Sequence, residues 1–277
     1  HKEYRRQRQM CIRDSHLVVI DIFRTETSEI ADVVLPATAW GETDGVCTNT
    51  ERRVQRLRAA VTPPGDAKPD WWIVSQIARR MGFAGFEYET AKDVFNELCG
   101  LSPIYAGLDW DRIEHGEYNW PVPHKDHPGT PVLHEGEFKN GRGIFRVISY
   151  RDPAEVVDDE FPVWLTTGRR LQAYHTRTQT GRAAGIDYLL SEESLEIHPD
   201  DLTDWGIPDG GWASLRSRRG TIKIRARASD MSPRGTVFCS FSFSDVPVNI
   251  LTGSGYDPVT ETAELKVCPV SIAPAED

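Results

Sequence analysis

From residue 213 to 228 apolar and polar side chains alternate, and this pattern constrains the fold more tightly than any other stretch. Ala213, Leu215 and Ser217 alternate with Ser214, Arg216 and Arg218 up to a turn at Arg219-Gly220. Ile222, Ile224, Ala226 and Ala228 then alternate with Thr221, Lys223, Arg225 and Arg227. A period of two on both sides of a turn predicts an antiparallel hairpin with one buried and one solvated face. Further strands are predicted over Val163–Thr167, over Thr236–Phe243 after the Pro233-Arg234-Gly235 turn, and through Leu265, Val267 and Cys268. A short helix starts at His198-Pro199-Asp200-Asp201-Leu202 and stops at Gly206, with its proline where a missing N–H costs nothing. Many short strands with one helical turn predict a small closed β-barrel over residues 161–277.

The first part of the chain has a different rhythm. Leu17, Val18, Val19 and Ile20 run into Asp21, as in a strand buried on both faces, and a second run, Val33–Leu35, ends at Pro36. Asp70 is expected to cap a helix whose Ile73, Val74, Ile77, Ala78 and Met81 form one apolar stripe, with Gly82 as its C-terminal glycine. Thr90 and Asp93 open a second helix carrying Val94, Phe95, Leu98 and Cys99 on one side, with Gly100 after it. Strands alternating with helices read as α/β. There are too few βα units for a complete domain, so residues 16–105 are expected to be the C-terminal remnant of a larger one. Residues 106–160, rich in proline and histidine, are expected to connect the two parts. Residues 1–15 are polar and basic without an apolar core, and are set aside as a non-native or unassigned segment.

With 277 residues, 39% of them hydrophobic, the composition is that of a globular chain, and no run approaches the ~18 apolar residues of a membrane span. A net charge of −10 argues against a nucleic-acid partner. Five scattered cysteines without a C-x-x-C pair argue against a disulfide framework, structural zinc or an iron–sulfur cluster in this chain, and favour reduced thiols and a cytoplasmic setting.

Several constellations bear on function. His115, His124, His127 and His134 lie within twenty residues, but the surrounding prolines prevent a helix from aligning a metal pair, so surface histidines are the better reading. Six cations between Arg216 and Arg227 are read as one solvated hairpin face. In Thr166-Thr167-Gly168-Arg169-Arg170-Leu171 and Tyr174-His175-Thr176, a strand ends in hydroxyls and a glycine, and cationic and imidazole donors follow. Such a run has the chemistry to hold a phosphate or pyrophosphate. Asp21 and Asp70 suit a turn and a cap, and equally suit a ribose hydroxyl or a guanine edge. No nucleophile, base and orienter set can be assembled.

The segments Ala31-Asp32-Val33-Val34-Leu35-Pro36-Ala37-Thr38-Ala39-Trp40, Asp44-Gly45 and Thr48-Asn49-Thr50-Glu51-Arg52-Arg53-Val54-Gln55 resemble the C-terminal half of the catalytic subunit of molybdenum or tungsten bis-(molybdopterin guanine dinucleotide) oxidoreductases. The likeness continues through Pro63-Pro64-Gly65, Asp70-Trp71-Trp72, Phe161–Arg169, Asn249–Thr252, Asp257-Pro258 and Glu264–Lys266. Within that group the chain looks most like formate dehydrogenase. Assimilatory nitrate reductases are the runner-up, and a non-catalytic β-barrel binding module is the alternative of another class.

The resemblance implies an α/β partial domain followed by a mainly β domain, the latter a double-psi β-barrel. It implies molybdopterin guanine dinucleotide contacts at Ile20, Asp21, Asp70, Thr167, Gly168, Arg169, Arg170, Leu171, Tyr174, His175, Thr176, Phe241, Asn249 and Lys266. Thr43 departs from the lysine of nitrate reductase-type relatives. The 4Fe–4S cysteines, the cysteine or selenocysteine ligating the metal, and the catalytic histidine and arginine of such enzymes lie in an N-terminal part. None is found here, so no catalytic residue is named. The implied partners are that N-terminal portion and electron-transfer subunits.

Overall fold

The computed structural model describes residues 16–276, so the segment 1–15 lies outside the described residues. The chain divides into two compact units that meet in sequence at Arg146 and Val147.

In the first unit, β1 (Val18–Asp21) and β2 (Val33–Pro36) pair in parallel, with Asp21 opposite Pro36, around a short helix α1 (Glu26–Glu29). A three-stranded antiparallel sheet follows in the order β3 (Gly45–Thr48), β4 (Arg53–Leu57), β5 (Tyr118–Asn119). Helices α2 (Asp70–Arg80), α3 (Ala91–Leu101) and α4 (Trp110–His115) complete the unit. Helix α2 ends as expected: Gly82 takes φ +83°, its N–H donates to Arg79 O, and Phe83 N–H donates to Ala78 O. Helix α3 starts on the expected capping box, with Asp93 accepting from Thr90 N–H, but runs through Gly100 to Leu101.

Residues 106–122, expected to be connecting chain, instead build this unit's core. Leu108, Ile113 and Val122 pack with Val54, Phe95 and Cys99. The periodicity missed α4 because a six-residue helix offers one buried apolar side chain, Ile113. Its start is fixed locally, by the Asp109 carboxylate accepting from Arg112 N–H at 2.7 Å. Asp109→Ala is expected to cost about 1 kcal/mol in urea unfolding of this unit. Arg56 lies 3.5 Å from the Trp110 ring centroid and, with Arg58, holds the Glu114 carboxyl down to about 2.

The α2 stripe is only partly covered: Ile73 is buried, while Val74, Ile77 and Met81 are exposed, as are Val18, Val33 and Val34 of the parallel pair. Parallel strands with bare valines are unusual, because such sheets are ordinarily covered on both faces.

The second unit holds the expected barrel. Its strands are β6 (Val163–Gly168), β7 (Ser194–Ile197), β8 (Trp212–Arg216), β9 (Thr221–Ala228), β10 (Thr236–Ser240) and β11 (Val267–Pro274). They close in the order β10-β6-β11-β8-β9-β7. The β6–β10 and β7–β9 pairs are parallel and the others antiparallel. Leu165, Leu195, Ile197, Leu215, Ile224, Val237 and Val270 fill the interior, each from the inward register of its strand. Helix α5 (Ala184–Leu189) precedes β7. Helix α6 (Pro199–Asp204) begins with proline in its first turn, His198 Nδ1 accepts from Asp200 N–H, and Gly206 follows at φ +66°. β10 stops at Ser240, three residues short of the sequence expectation, and Leu265 lies before β11.

The arginine-rich hairpin is not simply a solvated face. Arg216 meets Glu160, Arg218 meets Asp158, and Arg219, in the turn, binds both oxygens of Glu155 and the Leu251 carbonyl. These pairs strap residues 155–160 onto the barrel.

Candidate functional site

β6 runs straight into Arg169 and Arg170, and in the parallel register Gly168 stands opposite Ser240, the last residue of β10. The Thr167 N–H donates to Lys266 O at 3.1 Å and its hydroxyl donates to Leu265 O, which fixes the chain just before β11. One mouth of the barrel thus gathers Thr167, Gly168, Arg169, Phe241 and Lys266. The Arg169 guanidinium carbon and Lys266 Nζ lie 5.9 and 5.6 Å from the Phe241 ring centroid. Neither cation is among the ion pairs of the described residues, whereas Arg170, Arg177, Arg216, Arg218, Arg219, Arg225 and Arg234 of the same unit all are. Two exposed cations flanking one half-buried ring form a place for an anion with a flat or apolar portion.

Two of the expected contact residues have structural roles of their own. Arg170 is already committed: Nε donates to Glu193, Nη1 to Glu196 at 2.6 Å and Nη2 to Ser194 O at 2.9 Å. Gly168 is required by its neighbour, since a Cβ there would stand 2.6 Å from Cε2 of Phe238. The next loop joins the mouth through Arg177, which pairs with Asp187 and lies 4.0 Å from the Phe243 ring centroid. That loop carries Tyr174, His175 and Thr176 on exposed positions, with His175 at φ +48° and its ring edge-on to Tyr174 at 4.5 Å. Leu171 projects into solvent. Asn249 stands in the 3-10 turn Val248–Ile250, whose Ile250 packs on Gly220 of the hairpin turn.

The remaining expected residues belong to the first unit. Asp21 ends β1, its Oδ1 accepting from Ile22 N–H at 2.7 Å. Its backbone O accepts from Ala37 N–H, and Ala37 bridges to Lys68, two residues before Asp70. Ile20, Asp21, Thr38 and Asp70 therefore share the edge formed by the carboxyl ends of β1 and β2 and the amino end of α2, where α/β sheets bind ligands. Asp70 is not the cap of α2: Pro69 holds that position, and Asp70 is an exposed first-turn residue.

Three buried side-chain polar atoms among the described residues have no hydrogen-bond partner: Thr38 Oγ1, Trp71 Nε1 and Ser242 Oγ. Buried polar groups are paired in the great majority of cases. Two of them adjoin expected site residues, Trp71 after Asp70 and Ser242 after Phe241, and Thr38 follows Ala37, whose N–H donates to Asp21 O. The sequence reading missed them, as it missed Glu193. Glu193 had a legible signal, since the inward period of Leu195 and Ile197 extends back to it.

Residues 163–269 match the molydopterin dinucleotide binding domain, and residues 3–80 match the molybdopterin oxidoreductase family. The chain belongs to the molybdopterin oxidoreductases. The second match begins at residue 3, inside the segment set aside above as non-native or unassigned. The chain is 44% identical over 259 residues to the F420-dependent formate dehydrogenase 2 subunit alpha of Methanococcus maripaludis, covering 92% of this chain and 38% of that protein. It is 36% identical to the assimilatory nitrate reductase catalytic subunit of Bacillus subtilis, covering 95% and 38%. It thus spans well under half the length of these relatives. Acetylene hydratase from Pelobacter acetylenicus shares the fold, with a TM-score of 0.72 at 18% identity over 95% of this chain and 41% of the other. Each unit taken by itself has groups whose chemistry suits part of such a dinucleotide: the barrel mouth has two cations and an orphaned hydroxyl, and the edge of the first unit has an orphaned hydroxyl, an orphaned indole N–H and carboxylates that can accept from ribose or guanine. Among the described residues, no helix is long and apolar enough to cross a membrane, and no group of three or more His, Cys, Asp or Glu could hold a metal.

Proposed function

We propose that this chain is the cofactor-holding C-terminal portion of a formate dehydrogenase-like subunit that interconverts formate and carbon dioxide. The observation that carries the reading is the pair of unpaired cations on Phe241 beside the orphaned Ser242 hydroxyl. Arg169 and Lys266 hold phosphate oxygens of a molybdopterin guanine dinucleotide. The loop from Tyr174 to Thr176 and Asn249 add polar contacts, and at the first unit's own edge Asp21 and Asp70 are carboxylates suited to accept from ribose or guanine. The metal and its dithiolenes supply the two-electron chemistry when bound. The metal ligand, an iron–sulfur cluster and the catalytic residues belong to protein preceding this portion, and the bare valines of β1 and β2 fit a sheet completed by it. Formate is preferred to nitrate because the F420-dependent formate dehydrogenase relatives, at 40–44% identity, are more similar than the nitrate reductase at 36%.

Guanosine diphosphate is a direct probe. Titrated calorimetrically into the 277-residue chain, it is expected to bind, and Arg169→Ala/Lys266→Ala is expected to weaken binding at least tenfold, about 1.4 kcal/mol. Failure of the unaltered chain to bind, or equal affinity in the double variant, overturns the assignment. The chain is expected to give no turnover with formate and a dye acceptor, and appreciable turnover would refute the division of labour.

A further inference from the structure

Glu193 is a fully buried carboxylate outside every assigned contact. One residue before β7, it gathers three donors: Oε1 accepts from Arg170 Nε at 2.9 Å and from Ser194 N–H at 3.1 Å, while Oε2 accepts from the Ser240 hydroxyl. Each donor comes from a different part of the mouth. Arg170 follows Arg169 at the end of β6. Ser240 ends β10, immediately before Phe241, and its Oγ accepts from Ser242 N–H at 3.2 Å. Ser194 opens β7. The Ser240 hydrogen is thus spent on Glu193, and the buried Ser242 hydroxyl beside it has no partner of its own. Arg170 also lies over the Phe238 ring, which itself rests on Gly168, so the same side chain ties the carboxylate to the β6–β10 pairing.

A buried carboxylate would be costly without compensation, and here it is met by the Arg170 charge, which is shared with Glu196, and by three hydrogen bonds, one of them from Arg170. Such a group accepts only. An amide in its place would turn an NH2 toward the Arg170 N–H, the Ser194 N–H or the Ser240 hydroxyl. We propose that Glu193 is the positioning residue of the anion site: through Arg170 and Ser240 it sets the two chain ends that carry Arg169, Phe241 and Ser242. The proposal rests on the dinucleotide reading of that mouth and adds the group that organises it.

The test measures guanosine diphosphate affinity in the 277-residue chain, by calorimetry well below the melting temperature. Glu193→Gln is expected to weaken binding about fivefold and Ser240→Ala about threefold. Since both act through one hub, Glu193→Gln/Ser240→Ala should be no weaker than Glu193→Gln alone. A Glu193 that merely stabilises the barrel would lower the melting temperature and leave the folded protein's affinity unchanged, which overturns the proposal. Multiplicative losses in the double variant overturn it too. If Glu193→Gln does not fold, Ser240→Ala decides, because it spares the Arg170–Glu193 pair: unaltered affinity there refutes the hub. Absence of binding by the unaltered chain instead removes the site reading itself, whereas binding lost in Arg169→Ala/Lys266→Ala but not in the hub variants removes only this proposal.

Discussion

Gly107→Ala is expected to unfold the first unit at room temperature or bring it close to unfolding, at a cost of about 3 kcal/mol or more. A Cβ at that position would stand 2.2 Å from the His124 carbonyl oxygen and 2.7 Å from that of Val122. Those atoms are backbone, so no flexible side chain can swing away. They are also held: the Gly107 N–H donates to Val122 O at 2.6 Å, and the Arg112 guanidinium donates to Gly107 O at 2.5 Å. Relief requires moving the chain around Val122, which is fully buried beside Val54 and Phe95. Hydrogen exchange tells local from global damage. Protection at the Val54 and Val122 amides should collapse, while protection at Leu165 and Ile224 in the barrel should persist. Normal protection at Val122 would show that the close approach is softer than it stands.

This glycine also marks a limit of what the sequence displays. The barrel was legible because each strand repeats its pattern: Leu215 and Ile222, opposite each other in the hairpin, both face inward, and Val163 and Leu165 do the same in β6. Helices α2 and α3 were legible from their stripes and end signals. The segment from Gly107 to Val122 was not, because its order comes from non-local pairing. Tyr118 joins β4 across more than sixty residues, and Trp120 N–H donates to Arg52 O. Prolines and glycines there suggest loose chain, although Gly107 is demanded by contact with backbone. The site divides in the same way. Arg169, Phe241 and Lys266 were found through family likeness, and the structure brings them to one ring. Arg170 was assigned from the same likeness, and only its partners reveal that it binds Glu193, Glu196 and the Ser194 carbonyl.

The strap of residues 155–160 supplies the second large effect, and one that responds to pH. Arg219, mostly buried, grips Glu155 with both terminal nitrogens and donates through Nε to Leu251 O at 3.1 Å. The sequence alone placed this arginine among solvated neighbours, because alternation says nothing about turn residues. Arg219→Met keeps much of the volume but removes the charge, leaving Glu155 half-buried without its main partner. The expected loss is roughly 2 kcal/mol, less than for a fully buried pair because Glu155 keeps contact with water. Hydrogen bonding from Arg219 holds the Glu155 carboxyl below its ordinary value of 4.5. The unfolded chain therefore takes up the proton at a higher pH than the folded one. The contribution is complete above the ordinary carboxylate range and fades as pH falls through the depressed folded value. Urea midpoints of the barrel measured between pH 7 and pH 3 should fall less steeply in Arg219→Met than in the unaltered chain, the two curves converging at the acid end. Parallel curves would mean that Glu155 titrates independently of Arg219, and that the strap is held by the Arg218 and Asp158 pair instead.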